Sequence, residues 1–163
     1  MNSAPKVKAD TLFLIFHIGQ ERFALAARDV AEVLPRIALK PVPQAPQWVA
    51  GVFAHRGQMV PVLDISHLTF GQPARARTST RLVLVSYPGA RLLGLILEQA
   101  SDTLRLPAAQ FRALGLDNRR APYLGPVYEA EDGLIQWVKV DALLDERVRD
   151  LLYSDAQGAG DGL

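Results

Sequence analysis

The sequence predicts a mainly β protein of two related β units, each of about five strands, closed by a terminal helix. Three observations carry this. Apolar residues come in short runs rich in branched and aromatic side chains, bounded by Gly and Pro. The order of strand, turn, strand and third element at the start of the chain returns about 70 positions later. Helical spacing of apolar residues closes the chain.

The first run, Leu12 to Ile18, is too short for a typical helix and reads as a buried strand. Gly19-Gln20-Glu21 turns the chain, and Arg22 to Ala27 returns, with Phe23 and Leu25 on one face. Arg28 to Leu34 is read as a short helical turn or a third strand, because Pro35 ends it. Pro41, Pro43 and Pro46 keep the next segment extended. Val49–His55 and Met59–Ile65 form a hairpin turning at Arg56-Gly57-Gln58, where Gly57 supplies a positive φ. Pro61 places the return strand at an edge or a non-donating position. Residues 71–80 carry Arg75 and Arg77 without periodicity and are read as a flexible loop.

The second unit starts near Arg81. With a shift of 70, Leu12 meets Leu82, Phe13 meets Val83, Gly19 meets Gly89, Leu25 meets Leu95 and Leu34 meets Leu104, without a gap. Gly51 is matched by Gly125, and Asp64 by Asp141. The second hairpin turns at Glu131-Asp132-Gly133. Duplication is favoured over generic strand-turn-strand patterning. Asp141 is expected to cap the last helix, with Leu144, Val148, Leu151 and Leu152 at helical spacing and Asp145–Arg149 as a weak pair. Residues 1–10 and 154–163 are expected to be flexible ends flanking one domain over 11–153.

Function classes narrow by exclusion. Eighteen basic and 17 acidic residues leave +1, which disfavours a nucleic-acid footprint and an anionic membrane surface. The absence of cysteine removes thiolate metal sites, disulfides and cysteine nucleophiles. No apolar run is long enough to span a bilayer, and no signal-like segment opens the chain, so cytoplasmic residence is expected. His17, His55 and His67 lack metal-ligand spacing and read as packed or solvated. Asp64 reads as the cap of the turn or short helix that follows it. Glu129, Glu131 and Asp132 read as solvated charge at a hairpin tip. No nucleophile elbow or phosphate loop occurs, so no enzyme, cofactor or metal is predicted and the weight moves to a binding module. Arg56 on its tight turn reads as an ordinary exposed arginine or as a guanidinium presented to a partner.

The ordered segments Leu14–Leu25, Val30-Ala31-Glu32-Val33, Pro46–Val52, His55–Ile65 and Leu93–Leu104 together resemble the CheW-like domain family, over roughly residues 11–153. The Arg56-Gly57 turn leading into Pro61-Val62 and Asp64 is the most specific element. The resemblance implies two SH3-like five-stranded β barrels with a C-terminal helix. It also implies a non-catalytic adaptor that joins chemoreceptor cytoplasmic tips to the regulatory domain of a CheA-type histidine kinase, recruited to membrane-bound receptor arrays. Val30, Glu32, Val33, Arg56 and Gly57 would face the receptor, with Gly51 shaping the backbone. Kinase contacts are placed only on exposed barrel ends. The family's Asn-Leu before Arg-Gly is Ala54-His55 here, Leu92-Leu93 precedes Gly94 and Leu97-Glu98 replaces Val-Asp. These departures point to a specialised adaptor, for surface behaviour or a second messenger rather than swimming. Alternatives are the detached regulatory domain of a histidine kinase, a small-β enzyme, or a nucleic-acid-binding module.

Overall fold

The computed structural model describes residues 10–153; the expectations for residues 1–9 and 154–163 lie outside them. The strands are β1 Thr11–Ile18, β2 Glu21–Ala26, β3 Val30–Leu34, β4 Val49–His55, β5 Gln58–Asp64, β6 Arg81–Tyr87, β7 Arg91–Leu106, β8 Leu124–Ala130 and β9 Gly133–Val138. Helix α1 spans Ile65–Phe70 and α2 spans Glu146–Tyr153. The ambiguous segment at Arg28 resolves into both readings: a 3-10 turn at Ala27–Asp29, then strand β3.

Neither barrel is a contiguous half of the chain. The first barrel joins β3, β4 and β5 to β6 and the first part of β7. The second joins β1 and β2 to the rest of β7, β8 and β9. Both use one weave: a central antiparallel pair, a parallel strand on one side and an antiparallel strand on the other. The 16-residue β7 runs through both sheets. Gln99, at φ 51, marks its bend. Strand ladders leave each barrel open between its edge strands. A single bridge spans the gap each time, Lys40 with Val52 and Arg112 with Val127.

Side-chain alternation explains the unbroken apolar runs. On β1, Phe13 and Ile15 fill the second barrel, while Leu14, Phe16 and Ile18 enter a larger core shared by both barrels. On β6, Leu82 and Leu84 fill the first barrel, while Val83, Val85 and Tyr87 enter the shared core. Strands buried on both faces lose the polar alternation of a half-solvated sheet.

This facing corrects the repeat register. Phe13 corresponds to Leu82 and Ile15 to Leu84, one residue off the uniform shift. The cause is the turn: Ile18 pairs with Glu21 across two residues, whereas Tyr87 pairs with Arg91 across three. A one-residue slip moves every side chain to the other face. The match of Asp64 to Asp141 also fails. The amide of Asp64 bonds the Trp48 carbonyl at 2.8 Å, and the amide of Lys139 bonds the Tyr123 carbonyl at 2.8 Å. Lys139, not Asp141, therefore stands where Asp64 stands.

Asp64 caps α1, as its position after β5 predicts: its carboxylate accepts from the His67 amide at 3.1 Å. Asp141 does not cap the last helix; it lies inside a 3-10 turn, Val140–Ala142. Asp145 does the capping, accepting from the Val148 amide at 2.8 Å. The Asp145 carboxylate is engaged there, and Arg149 pairs with Asp150 at 3.8 Å instead. Leu144 and Val148 are buried, while Leu151 faces solvent.

Residues 71–80 are pinned rather than loose. The Asp64 carboxylate accepts from the Ala74 amide at 2.9 Å, and Glu98 accepts from the Arg75 amide at 2.9 Å. Ser66 donates to the Gln72 carbonyl at 2.7 Å, and Thr80 to the Arg75 carbonyl at 2.5 Å. Local sequence showed a polar segment without period, but not the distant carboxylates that hold it.

Candidate functional site

The β4–β5 hairpin turns on two residues, with His55 paired to Gln58. Arg56 at φ 50 and Gly57 at φ 83 both take positive φ, as a type I′ turn requires. Such turns favour Asn-Gly or Gly-Gly, so arginine at the first position carries backbone strain. A Cβ at Gly57 would meet nothing within 4 Å, so conformation alone selects glycine there. Gly51 acts differently. A Cβ on it would lie 2.7 Å from the Lys40 carbonyl oxygen and 2.8 Å from the Leu39 Cβ. Its bare backbone lets the segment after β3 cross close to β4.

Strand β3 pairs with β6 on one side only, with a bulge between Val30 and Glu32. Val30, Glu32 and Leu34 are half-buried, and Ala31 and Val33 are exposed. The Glu32 carboxylate reaches the β4–β5 tip with both oxygens. Oε1 lies 3.2 Å from His55 Nε2, and Oε2 accepts from Arg56 Nη2 at 3.4 Å. The contact with His55 is a hydrogen bond when Nε2 carries the proton. The His55 ring also lies 5.8 Å from the Phe53 ring. The Arg56 side chain is 76% exposed, against 30% for Glu32, so the guanidinium keeps donors open to solvent.

Of the five residues that the sequence singled out, Glu32, Arg56 and Gly57 come together at this tip. Val33, 46% exposed, faces solvent on the alternate side of β3. Val30 packs against the shared core instead. Sequence reasoning missed two members: His55, read there as solvated or packed, and Met59, 62% exposed and paired with Ala54 beside the turn. The break from the family pattern at His55 was the available signal.

A second exposed feature lies at the opposite barrel. Residues 113–121, β8 and Gln136 line a groove of about 1020 Å³. Leu114 and Leu116 stand exposed on its loop, Leu116 at 74%. Asp117 and Arg119 form a bidentate pair on the same loop, which holds the Asp117 carboxyl below the usual carboxylate range. The two leucines around Gly115, in an otherwise polar segment, were a sequence signal left unread. Between the barrels, Arg28 and Lys139 flank Trp137, the Lys139 ammonium 3.5 Å from the ring centroid. Among the described residues, no three His, Asp or Glu side chains gather as a metal site. None of the described helices is long and apolar enough to cross a membrane.

Comparison with known proteins gives a consistent result. The model of the CheW-like domain matches residues 12–148. The chain is 31% identical over 106 residues to protein FrzA of Myxococcus xanthus, covering 65% of this chain and 66% of that protein. It is 30% identical over 100 residues to the chemotaxis protein CheW of Klebsiella aerogenes, covering 61% and 60%. The matched stretch thus spans just under two thirds of these relatives. The crystal structure of the scaffolding protein TtCheW from Thermoanaerobacter tengcongensis shares the fold, with a TM-score of 0.77 at 17% identity over 90% of this chain and 95% of that one.

Proposed function

The chain belongs to the CheW-like domain family, and on that premise we propose that it is a non-catalytic adaptor coupling chemoreceptors to a CheA-type histidine kinase. The observation that carries the reading is the tip where β3 meets the β4–β5 hairpin. There a strained arginine is held in reach of Glu32, with donors left over. Function that tolerates backbone strain is the usual reason for such an outlier. The receptor's cytoplasmic tip is the partner of this surface, with Arg56 as donor, Glu32 as its positioning carboxylate, Gly57 as the turn residue, and Val33 with Met59 as apolar contacts. Val30 supports β3 from the core side.

The kinase's regulatory domain takes the far barrel end, where Leu114 and Leu116 stand on the groove loop. Exposed leucines beside Arg120 and the Asp117–Arg119 pair make an apolar contact with a charged rim. Membrane-bound receptor arrays are where such an adaptor works. The adaptor reading is favoured over a detached kinase domain or an enzyme because FrzA and chemotaxis proteins CheW are what the chain matches.

The test is a pull-down with a chemoreceptor signalling-tip fragment and, separately, with a CheA-type kinase. Arg56→Ala should lower receptor capture about tenfold and leave kinase capture unchanged; Leu116→Asp should do the reverse. Loss of both by either variant, with the fold intact by circular dichroism, would refute the assignment of one partner to each end. His55, filling Glu32 Oε1, adapts the tip to a specialised receptor. Equal capture by a motility receptor of wild type and His55→Leu would sink that refinement.

A further inference from the structure

No aspartate or glutamate lies between Asp64 and Glu98, while that stretch carries Arg75, Arg77, Arg81 and Arg91. In a chain of net charge +1, this stretch is wholly basic among its ionised side chains. Three of these arginines sit on or beside the strap of residues 71–80. Arg75 and Arg77 are exposed, and among the described residues none of the three joins an ion pair.

The strap is built to hold its shape. Asp64, Ser66, Thr80 and Glu98 are the buried polar residues of the described chain, at 8%, 6%, 3% and 8% exposure. All four bind the strap backbone. Thr80 also accepts from the Arg77 amide at 3.2 Å. Arg81 donates to the Thr78 carbonyl and, at 3.3 Å, to that of Thr80. Burying two carboxylates is unfavourable unless they are hydrogen-bonded. Here their hydrogen bonds fall on consecutive amides, those of Ala74 and Arg75. The result fixes the backbone under two free guanidiniums.

From this arrangement we infer that the strap is a docking surface for an acidic segment of a partner protein. The Arg77 amide donates to the Arg75 carbonyl at 3.0 Å, a tight turn that holds the two arginines close together. Both side chains are exposed, so Arg75 and Arg77 can meet neighbouring carboxylates of an acidic chain. Guanidinium and carboxylate pair through two parallel hydrogen bonds. A pre-ordered strap lowers the ordering cost of binding. Three arginines are too few for the other anionic surfaces. Polybasic membrane segments use about four to eight basic residues. Phosphate-backbone binding that survives physiological salt uses about six to ten contacts. The strap lies apart from the Glu32–Arg56 tip, and the inference does not depend on the adaptor reading.

The test measures fluorescence anisotropy of a labelled hexaglutamate peptide with the full chain. Binding is expected at low salt and should weaken as salt rises. Arg75→Glu with Arg77→Glu should weaken it about tenfold or more, two exposed pairs together amounting to that factor. The control, Arg105→Glu with Arg147→Glu, makes the same change in net charge at exposed sites elsewhere and should leave binding within about twofold. Arg75→Gln with Arg77→Gln guards against a folding effect of the reversals and should lose binding in the same direction. No binding at low salt, equal loss in the control, or tighter binding to phosphatidylglycerol vesicles or duplex DNA than to the peptide would overturn the inference.

Discussion

At the tip of the β4–β5 hairpin, Arg56 and Gly57 stand where the β8–β9 hairpin carries Glu131 and Asp132, counting from the bridging residues Val52 and Val127. Glu32, beside the first tip, corresponds in register to Asp102 of the second barrel, each two residues before the leucine (Leu34 or Leu104) that pairs with the barrel's central strand. The same weave therefore puts a guanidinium on one turn, paired with a carboxylate from a neighbouring strand, and carboxylates on the other. Asp132 there is held by Arg22 at 2.5 Å. Two barrels of one backbone plan thus present opposite charge at their hairpin turns. Fold-level symmetry does not carry over to surface chemistry, which is set at the tips rather than in the cores.

The largest expected effect tests what the barrels have in common. Leu95 is fully buried in the core between them. Leu95→Ala should cost about 2–5 kcal/mol in urea unfolding, through lost burial and the cavity left behind. Because that core belongs to both barrels, the transition should stay single. Trp48 packs against the shared core and Trp137 sits in the second barrel. Separate transitions seen through these two tryptophans would break the picture of one cooperative unit.

Next in size are the glycines of the first barrel. Gly51→Ala forces a Cβ against the Lys40 carbonyl at φ 150, and should cost about 2–4 kcal/mol. Gly57→Ala meets no neighbour and should cost only the left-handed strain, about 1–2 kcal/mol. A reversed order of thermal midpoints would show that the crossing of residues 39–40 over β4 is softer than its geometry implies.

How much of this was legible varies with the range of the interaction. β1, β2, β4 and β5 could be placed within about a residue, because apolar runs and glycine turns are local signals. The repeat could be found for the same reason. Its register could not, since Pro88-Gly89-Ala90 and Gly19-Gln20 differ by one residue and only the facing of Phe13 and Leu82 reveals it. The exchange of strands between barrels left no local trace either, because β7 reads as two elements in sequence and is one in space. At the tip, Arg56 and Glu32 were identified through the family resemblance, whereas His55 joins them only through a contact between strands far apart in sequence.

A smaller effect concerns how α2 is fastened. The Tyr153 hydroxyl donates to the Leu92 carbonyl at 2.8 Å, beside the Arg91 guanidinium 4.7 Å from its ring. Burial holds its phenol well above the usual tyrosine range. The folded chain thus keeps this proton to higher pH than the unfolded chain. The stability it contributes is complete below the ordinary tyrosine value, about 10, and is lost as pH rises beyond it. Tyr153→Phe should lower stability by about 1 kcal/mol at neutral pH. It should also flatten the alkaline decline, which urea midpoints from neutral to alkaline pH would measure. An unchanged alkaline slope would place the proton loss elsewhere.

The smallest stability effects return to the two tips, and there the smallness is the informative result. The Arg56–Glu32 pair is exposed and 3.4 Å long, so Arg56→Ala should shift stability by no more than about 0.5 kcal/mol. Alanine inherits the same positive φ, so no strain is relieved. Glu131→Ala at the second tip should be equally silent in a thermal melt. The two variants should part only in binding, with receptor capture lost at the first tip and kept at the second. If Arg56→Ala destabilised the fold as strongly as a core deletion, the guanidinium would be a structural strut. The difference between the barrels would then lie in how they are held together rather than in what they present.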